Sequence, residues 1–194
     1  MALLVILAIV AALGLYVVFA YNGLVDRRNR MKNAFAQIDV QLTRRHDLIP
    51  NLVESVKGYM QHERETLEAV ISARNQAIAG LQAAAARPGD PDAIRKLAGS
   101  EAALDSALGR LLAVVEAYPE LKADENMLRL QEELSSTENK VAFARQSFND
   151  AVMAYNTACQ SFPTNFIAGV FSFQQGEFLE IEAESKREVP TVSF

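Results

Sequence analysis

Apolar residues follow two patterns along this chain: one continuous run at the N-terminus and helical repeats after it. Residues 2–21 contain no charged side chain. As a helix, about 20 residues reach roughly 30 Å, which is the thickness of a bilayer's hydrocarbon core. The run therefore predicts a transmembrane anchor over residues 1–21.

A cleaved signal peptide is the alternative interpretation of this run, because Val18-Phe19-Ala20 could pass for a cleavage site. No basic residue precedes the run, however, and it is longer than the apolar part of a typical signal peptide. We therefore favour a retained anchor. Ala8 and Ala12 form a small-xxx-small pair through which two anchors could approach closely.

Residues typical of a membrane–water interface stand at the end of the run and just after it. Aromatic rings favour that interface, and basic flanks stay in the cytoplasm. We therefore expect the N-terminus outside and the body in the cytoplasm. The predicted interface residues are Tyr16, Phe19, Tyr21, Arg27, Arg28, Arg30 and Lys32.

Beyond the anchor, apolar residues recur at alternating steps of three and four. This spacing is the a/d seam of helices that pack on one another. The fold class is therefore all-α: a transmembrane helix that continues into a long antiparallel, coiled-coil-like bundle over residues 22–162. The four series cover residues 31–42, 49–81, 94–118 and 127–162.

Four polar residues interrupt the series: Glu63, Arg74, Glu101 and Thr137. Polar groups at such positions cost stability unless they are paired, and they fix the register of a bundle. We expect a structural network there. Further polar residues that could join it are Arg44, Arg45 and Asp47.

Prolines and capping residues predict where the helices end. Residues 87–91 form a Pro-Gly turn in which Asp90 or Asp92 can cap the next helix, and Asp124 can cap the helix that follows Pro119. Pro163 closes the last long helix. Pro50 is ambiguous, because it can kink a helix or start a new one.

The favoured interpretation at Pro50 is one kinked helix from the anchor to about Ala86, which gives three body helices. The alternative is a hairpin at residues 46–50, which gives four.

Residues 163–194 form a tail that is first aromatic and then acidic. Its aromatic part either closes the end of the bundle or contacts a membrane surface or a partner. Five glutamates between residues 177 and 188 argue against an anionic lipid surface. The residues proposed for a contact are Phe166, Ile167, Val170, Phe171 and Phe173.

Composition supplies little material for catalysis. The formal net charge of −5 excludes a broadly basic nucleic-acid binder. Cys159, the single cysteine, lies beside an apolar seam and should be buried, while His46 and His62 should be exposed on helices. We predict no enzyme activity, no cofactor and no metal site.

Several motifs resemble the LemA family. The longest covers residues 37–53, with Gln37-Ile38-Asp39-Val40-Gln41-Leu42 and Asp47-Leu48-Ile49-Pro50-Asn51-Leu52-Val53 at its two ends. The shorter ones are Tyr21-Asn22-Gly23-Leu24-Val25, Thr137-Glu138-Asn139, Tyr155-Asn156-Thr157, Phe162-Pro163-Thr164-Asn165 and Val189-Pro190-x-Val192-x-Phe194.

The resemblance implies a bacterial protein with one N-terminal membrane span and a long helical body, hence the bacterial inner membrane. It also implies no agreed enzymatic activity, and some relatives are linked to the remodelling of internal membranes. Two hypotheses follow. One is a homo-oligomeric scaffold that organises or remodels membrane or membrane proteins. The other is an adaptor or sensor that binds a membrane protein, such as a protease or transporter, through the aromatic tail.

Overall fold

The structure is a computed structural model, and it describes residues 1–60 and 63–181. No strand occurs in these residues, which confirms the all-α prediction. The helices are α1 (Ala2–Lys57), α2 (Arg64–Ala86), α3 (Pro91–Val115), α4 (Pro119–Lys122), α5 (Glu125–Gln160) and α6 (Thr164–Val170).

Helix α1 runs without interruption from the apolar segment through Pro50 to Lys57. The hairpin at residues 46–50, which was the alternative interpretation, does not form. The predicted continuation to about Ala86 is also wrong, because the chain reverses between Lys57 and Arg64. The apolar spacing conceals this reversal, since Met60 and Leu67 are seven residues apart and both are buried. The described part of the body therefore contains four long helices, which are the later part of α1, α2, α3 and α5.

An arginine from α2 compensates for Pro50 inside α1. Proline has no N–H, so the carbonyl of His46, four residues earlier, loses its helical donor. Arg74 supplies a replacement, because its Nε donates to the His46 oxygen at 2.6 Å. This contact also ties α2 to α1 at mid-height.

The four long helices alternate in direction. Phe35 of α1 meets Phe148 of α5 with ring centroids 5.5 Å apart, and Tyr16 meets Thr164 beyond the end of α5. Low-numbered residues of α1 thus lie beside high-numbered residues of α5. We call the end of the bundle that holds α6 and the turn at residues 87–90 the anchor end. The far end holds α4 and the reversal between α1 and α2.

The buried apolar side chains form two clusters, one at each end. The anchor-end core includes Phe35, Phe148 and Tyr155, and it lies between α1, α5 and the facing ends of α2 and α3. The far-end core is built from aliphatic side chains such as Ile49, Val70 and Leu104. Helices α2 and α3 lie in tight contact at Gly80, where a Cβ would lie 3.4 Å from the Leu97 Cα of α3.

After α6, residues 173–181 run back along α5 as a non-helical segment that we call the strap. Asn156 donates to the Gly176 carbonyl at 2.9 Å and accepts from its N–H at 2.8 Å. Asn149 makes the same pair of bonds with Leu179. Seven helical residues and three extended residues both span about 10 Å. The asparagines therefore hold an extended strap, and residues 182–194 lie outside the described part.

The predicted capping residues occupy their places. Asp90 accepts from the Ala93 N–H at 3.0 Å, and Asp124 accepts from the Met127 N–H at 2.9 Å. Gly89 has a φ of 88°, which only glycine adopts without strain. Helix α5 ends at Gln160, just before Pro163.

Candidate functional site

Residues 2–19, at the start of α1, project beyond the bundle, and no residue in this part is buried. Within the described residues, α1 is the one helix long and apolar enough to cross a membrane. A core helix of a soluble protein would be covered by its neighbours. The exposed apolar surface instead fits an anchor in lipid.

The predicted aromatic interface residues connect the anchor to α6 and the strap. The Tyr16 hydroxyl lies 3.2 Å from the Thr164 Oγ1. Tyr21 makes edge contacts with Phe171 and Phe173, at centroid distances of 4.9 and 5.5 Å. Phe19 is 80% exposed. The end of the apolar run is thus a meeting point of three segments.

The four predicted basic interface residues have different environments. Arg28 places its guanidinium 4.9 Å from the centre of the Phe173 ring. Arg30 pairs with Asp26 at 2.9 Å, and Arg27 donates to the Gly23 carbonyl at 3.1 Å. Lys32 is exposed. The structure thus brings Arg28 to the tail aromatics and leaves the others on the surface of α1.

The five predicted tail contacts divide into two groups. Phe173 is buried and Ile167 half-buried against the anchor-end core, so these two close the bundle. Phe166 and Val170 are 64% and 77% exposed, and Phe171 is 49% exposed. The predicted seam residue Phe162 is 79% exposed, because α5 ends two residues before it.

A buried ionic layer lies between the two apolar cores. Glu101 of α3 is fully buried and accepts from His46 at 2.8 Å and from Arg45 at 3.3 Å. Arg45 also bonds Asp105. The expected network therefore forms around Glu101 and Arg45. Arg44 and Asp47 are exposed and Glu63 is half-buried.

The prediction that His46 is exposed is wrong, because 2% of its surface is accessible. The two apolar series over residues 31–42 and 49–81 form one continuous seam if a buried position lies between Leu42 and Ile49. Arg45 and His46 supply that position, and this spacing could have revealed them. His62 lies outside the described residues.

Thr137 of α5 falls at the same level of the bundle, because it lies as many residues from Phe148 as His46 lies from Phe35, and these two phenylalanines meet on antiparallel helices. Its hydroxyl is buried and donates to the Glu133 carbonyl at 2.8 Å. Each long helix thus contributes a polar group near this level: Arg45 and His46, Arg74, Glu101, and Thr137. Burial of such groups is tolerated because each has a partner. The layer fixes the relative register of the helices.

Cys159 is buried, as predicted, and neighbours Tyr155. Burial raises the pKa of the Cys159 thiol, and it raises the pKa of Tyr155 with a further contribution from Cys159. A thiol with a raised pKa is a weak nucleophile. In the described part of the chain, no group of three His, Cys, Asp or Glu residues is placed to hold a metal ion.

The far end carries an open groove between α1 and α2, with a volume of about 740 Å³. Its floor is apolar and includes Ile49, Val53 and Leu67, while charged side chains stand at its rim. Sequence reasoning missed this groove, because it arises from the reversal that the apolar spacing conceals.

Comparisons with known proteins found relatives that align with most of the chain. Magnetosome protein MamQ 1 of Paramagnetospirillum magneticum is 24% identical over 178 residues, which cover 82% of this chain and 64% of that protein. MamQ of Magnetospirillum gryphiswaldense is 24% identical, covering 81% and 64%. The chain thus spans just under two thirds of these relatives. Protein LemA of Metamycoplasma hominis is 24% identical, covering 84% and 73%.

A sequence model of the LemA family matches residues 34–194, which is most of the chain and includes the ionic layer, α6 and the strap. The family and the apolar helix fit a membrane-anchored helical protein. The expectation that the protein is not an enzyme stays a prediction. The chain belongs to the LemA family.

Proposed function

We propose that this protein is a membrane-anchored scaffold that self-associates and organises or remodels membrane or membrane proteins. Its N-terminus lies outside and its bundle in the cytoplasm. The observation that carries this proposal is the continuity of α1, which joins the apolar segment to the bundle with no intervening linker. A flexible tether would let the body swing, whereas a helix transmits a fixed orientation.

The helix sets the reach of such a scaffold. From Tyr21 to Lys57, α1 extends about 54 Å at 1.5 Å per residue. Helix α5 packs antiparallel along this length, and contacts continue to Tyr16. Helices α1 and α5 together therefore hold the body in a fixed orientation relative to the membrane. The far-end groove then lies at a fixed distance from the membrane.

The relatives support a role at a membrane. MamQ 1 and MamQ, which align with most of this chain, are named magnetosome proteins. Their names describe those proteins. For this chain we infer only the shared principle, a helical body fixed to a membrane surface.

Self-association is tested by the mass of the full-length protein in a mild detergent. We expect multiples of the 21.3 kDa chain at micromolar concentration. Ala8→Leu with Ala12→Leu tests the anchor as the contact, and Ile71→Glu, which places a charge in the far-end groove, tests the bundle. A strict monomer would contradict the scaffold.

The second candidate function is the adaptor that binds a membrane protein through its aromatic tail. Its supporting observation is the exposure of Phe166 and Val170. Replacing both with serine leaves the buried Phe173 in place. An adaptor should then lose partners in a pull-down from membranes, and an unchanged set of partners would contradict this function.

A further inference from the structure

We propose that residues 162–171, which include α6, insert their exposed apolar side chains into the lipid interface beside the anchor. We call these residues the interfacial segment. Its ligand is the bilayer itself, at the level where head groups meet acyl chains. The inference rests on the proposed anchoring, and it adds a second membrane contact to the span.

The depth of the interfacial segment is set by its contact with the anchor. The Tyr16 hydroxyl lies 3.2 Å from the Thr164 Oγ1. Tyr16 precedes the end of the apolar run at Tyr21 by five residues, or about 7.5 Å along the helix. Helices that lie in the interface bury their apolar face by about 5–10 Å. A bilayer that surrounds the anchor therefore reaches α6.

The side chains at this depth suit lipid and would be costly in water. Phe162, Phe166 and Val170 are 79%, 64% and 77% exposed. No charged residue occurs between Asp150 and Glu177. The charges begin again at Glu177, which lies on the strap and pairs with Arg95 of α3 at 3.2 Å. The uncharged stretch thus coincides with the part of the body that lies beside the anchor.

The apolar surface is continuous from the anchor to the interfacial segment. Phe19 of the anchor, Met153 of α5 and Thr164 of α6 line one groove with a volume of about 560 Å³, and Arg27 also lines it. Phe162 and Phe166 extend this surface with their rings in edge contact at 6.0 Å. An acyl chain could lie along this path.

Phe143 of α5 supplies the contrast. It is 72% exposed, yet it stands between Lys140 and Arg145 and lies about 25 Å along α5 from its end at Gln160. Isolated apolar residues on a protein surface are common and do not indicate a binding site. A lipid contact is thus specific to the interfacial segment.

The absence of tryptophan from the chain allows a direct test. Phe19→Trp, Phe166→Trp and Phe143→Trp each introduce a single emitter in the full-length protein. Each variant is reconstituted in vesicles of zwitterionic phosphatidylcholine, with or without bromine on the upper part of the acyl chains. Bromine quenches only tryptophans that touch lipid.

We expect at least twofold quenching and blue-shifted emission for Phe19→Trp and Phe166→Trp, and neither for Phe143→Trp. If Phe19→Trp is quenched and Phe166→Trp is not, this inference is overturned while the proposed anchor stands. The exposed apolar side chains of the interfacial segment would then favour contact with a protein partner. Loss of quenching at Phe19→Trp would overturn the anchoring itself. Matching circular dichroism of the three variants confirms that each is folded.

Discussion

The anchor-end core and the far-end core share the same spacing of apolar residues but are completed differently. At the anchor end, the strap covers α5 and adds Phe173 and Leu179, which are 9% and 0% exposed. Aromatic rings, including Phe35 against Phe148, fill the space between the helices. At the far end no segment within residues 1–60 and 63–181 covers the junction of α1 and α2, and a groove remains there.

This difference shows that a helical repeat determines which residues form the apolar stripe of a helix. It does not determine which segment of the chain covers that stripe. Four helices with a/d seams bury their apolar stripes against one another. Whether the remaining surface is covered depends on other segments, here the strap and α6. We therefore expect the anchor end to be the more stable half and the far end to open more readily.

The buried ionic layer separates the anchor-end core from the far-end core. Glu101 neutralises Arg45 and is shared with His46. Removal of Glu101 would leave the buried Arg45 with Asp105 as its remaining carboxylate and His46 without its partner. Removing one partner of a buried ion pair costs about 3–5 kcal/mol.

The largest predicted effect therefore belongs to Glu101→Ala. We expect a loss of about 3–5 kcal/mol in the free energy of unfolding, measured by denaturant titration of the full-length protein in detergent. Glu138→Ala, at an exposed position of α5, is the matched control and should change stability by less than about 0.5 kcal/mol. A loss below about 1 kcal/mol for Glu101→Ala would show that the layer is not needed.

A smaller effect is predicted for the strap. Asn156→Ala removes both hydrogen bonds to Gly176 and leaves a peptide group without its partner, which costs about 1–3 kcal/mol. Hydrogen exchange should accelerate at residues 173–181 and remain unchanged in the far-end core. Asn139→Ala, at an exposed site on α5, serves as control. Equal acceleration at both ends would contradict the independence of the two cores.

The smallest effect concerns pH and the anchor-end core alone. Burial raises the pKa of Tyr155 and of Cys159 above their ordinary values of 10.0 and 9.0. The stability that these neutral groups contribute is present below about pH 9 and is lost as the pH rises past those values. Thermal unfolding should show a decline above about pH 9 that is shallower in Tyr155→Phe with Cys159→Ala. An identical decline in both proteins would contradict the prediction.

Much of the fold could be predicted because it depends on local patterns. The apolar run, the four series and the capping aspartates Asp90 and Asp124 each depend on neighbours within a few residues. The reversal between α1 and α2 could not be predicted, because Met60 and Leu67 keep the same spacing across it. The prediction that His46 is exposed was wrong for a related reason, because its partner Glu101 is 55 residues away in sequence.

From the sequence alone, this chain is all-helical, carries one segment able to cross a bilayer, and belongs near LemA proteins. Those properties depend on composition and on periodicity, which are local. Tertiary structure alone decided that Arg74 replaces the hydrogen bond missing at Pro50, that Asn149 and Asn156 hold the strap, and that Thr164 meets Tyr16. These are contacts between residues far apart in the chain, and their energy depends on three-dimensional distance, which one-dimensional spacing does not encode.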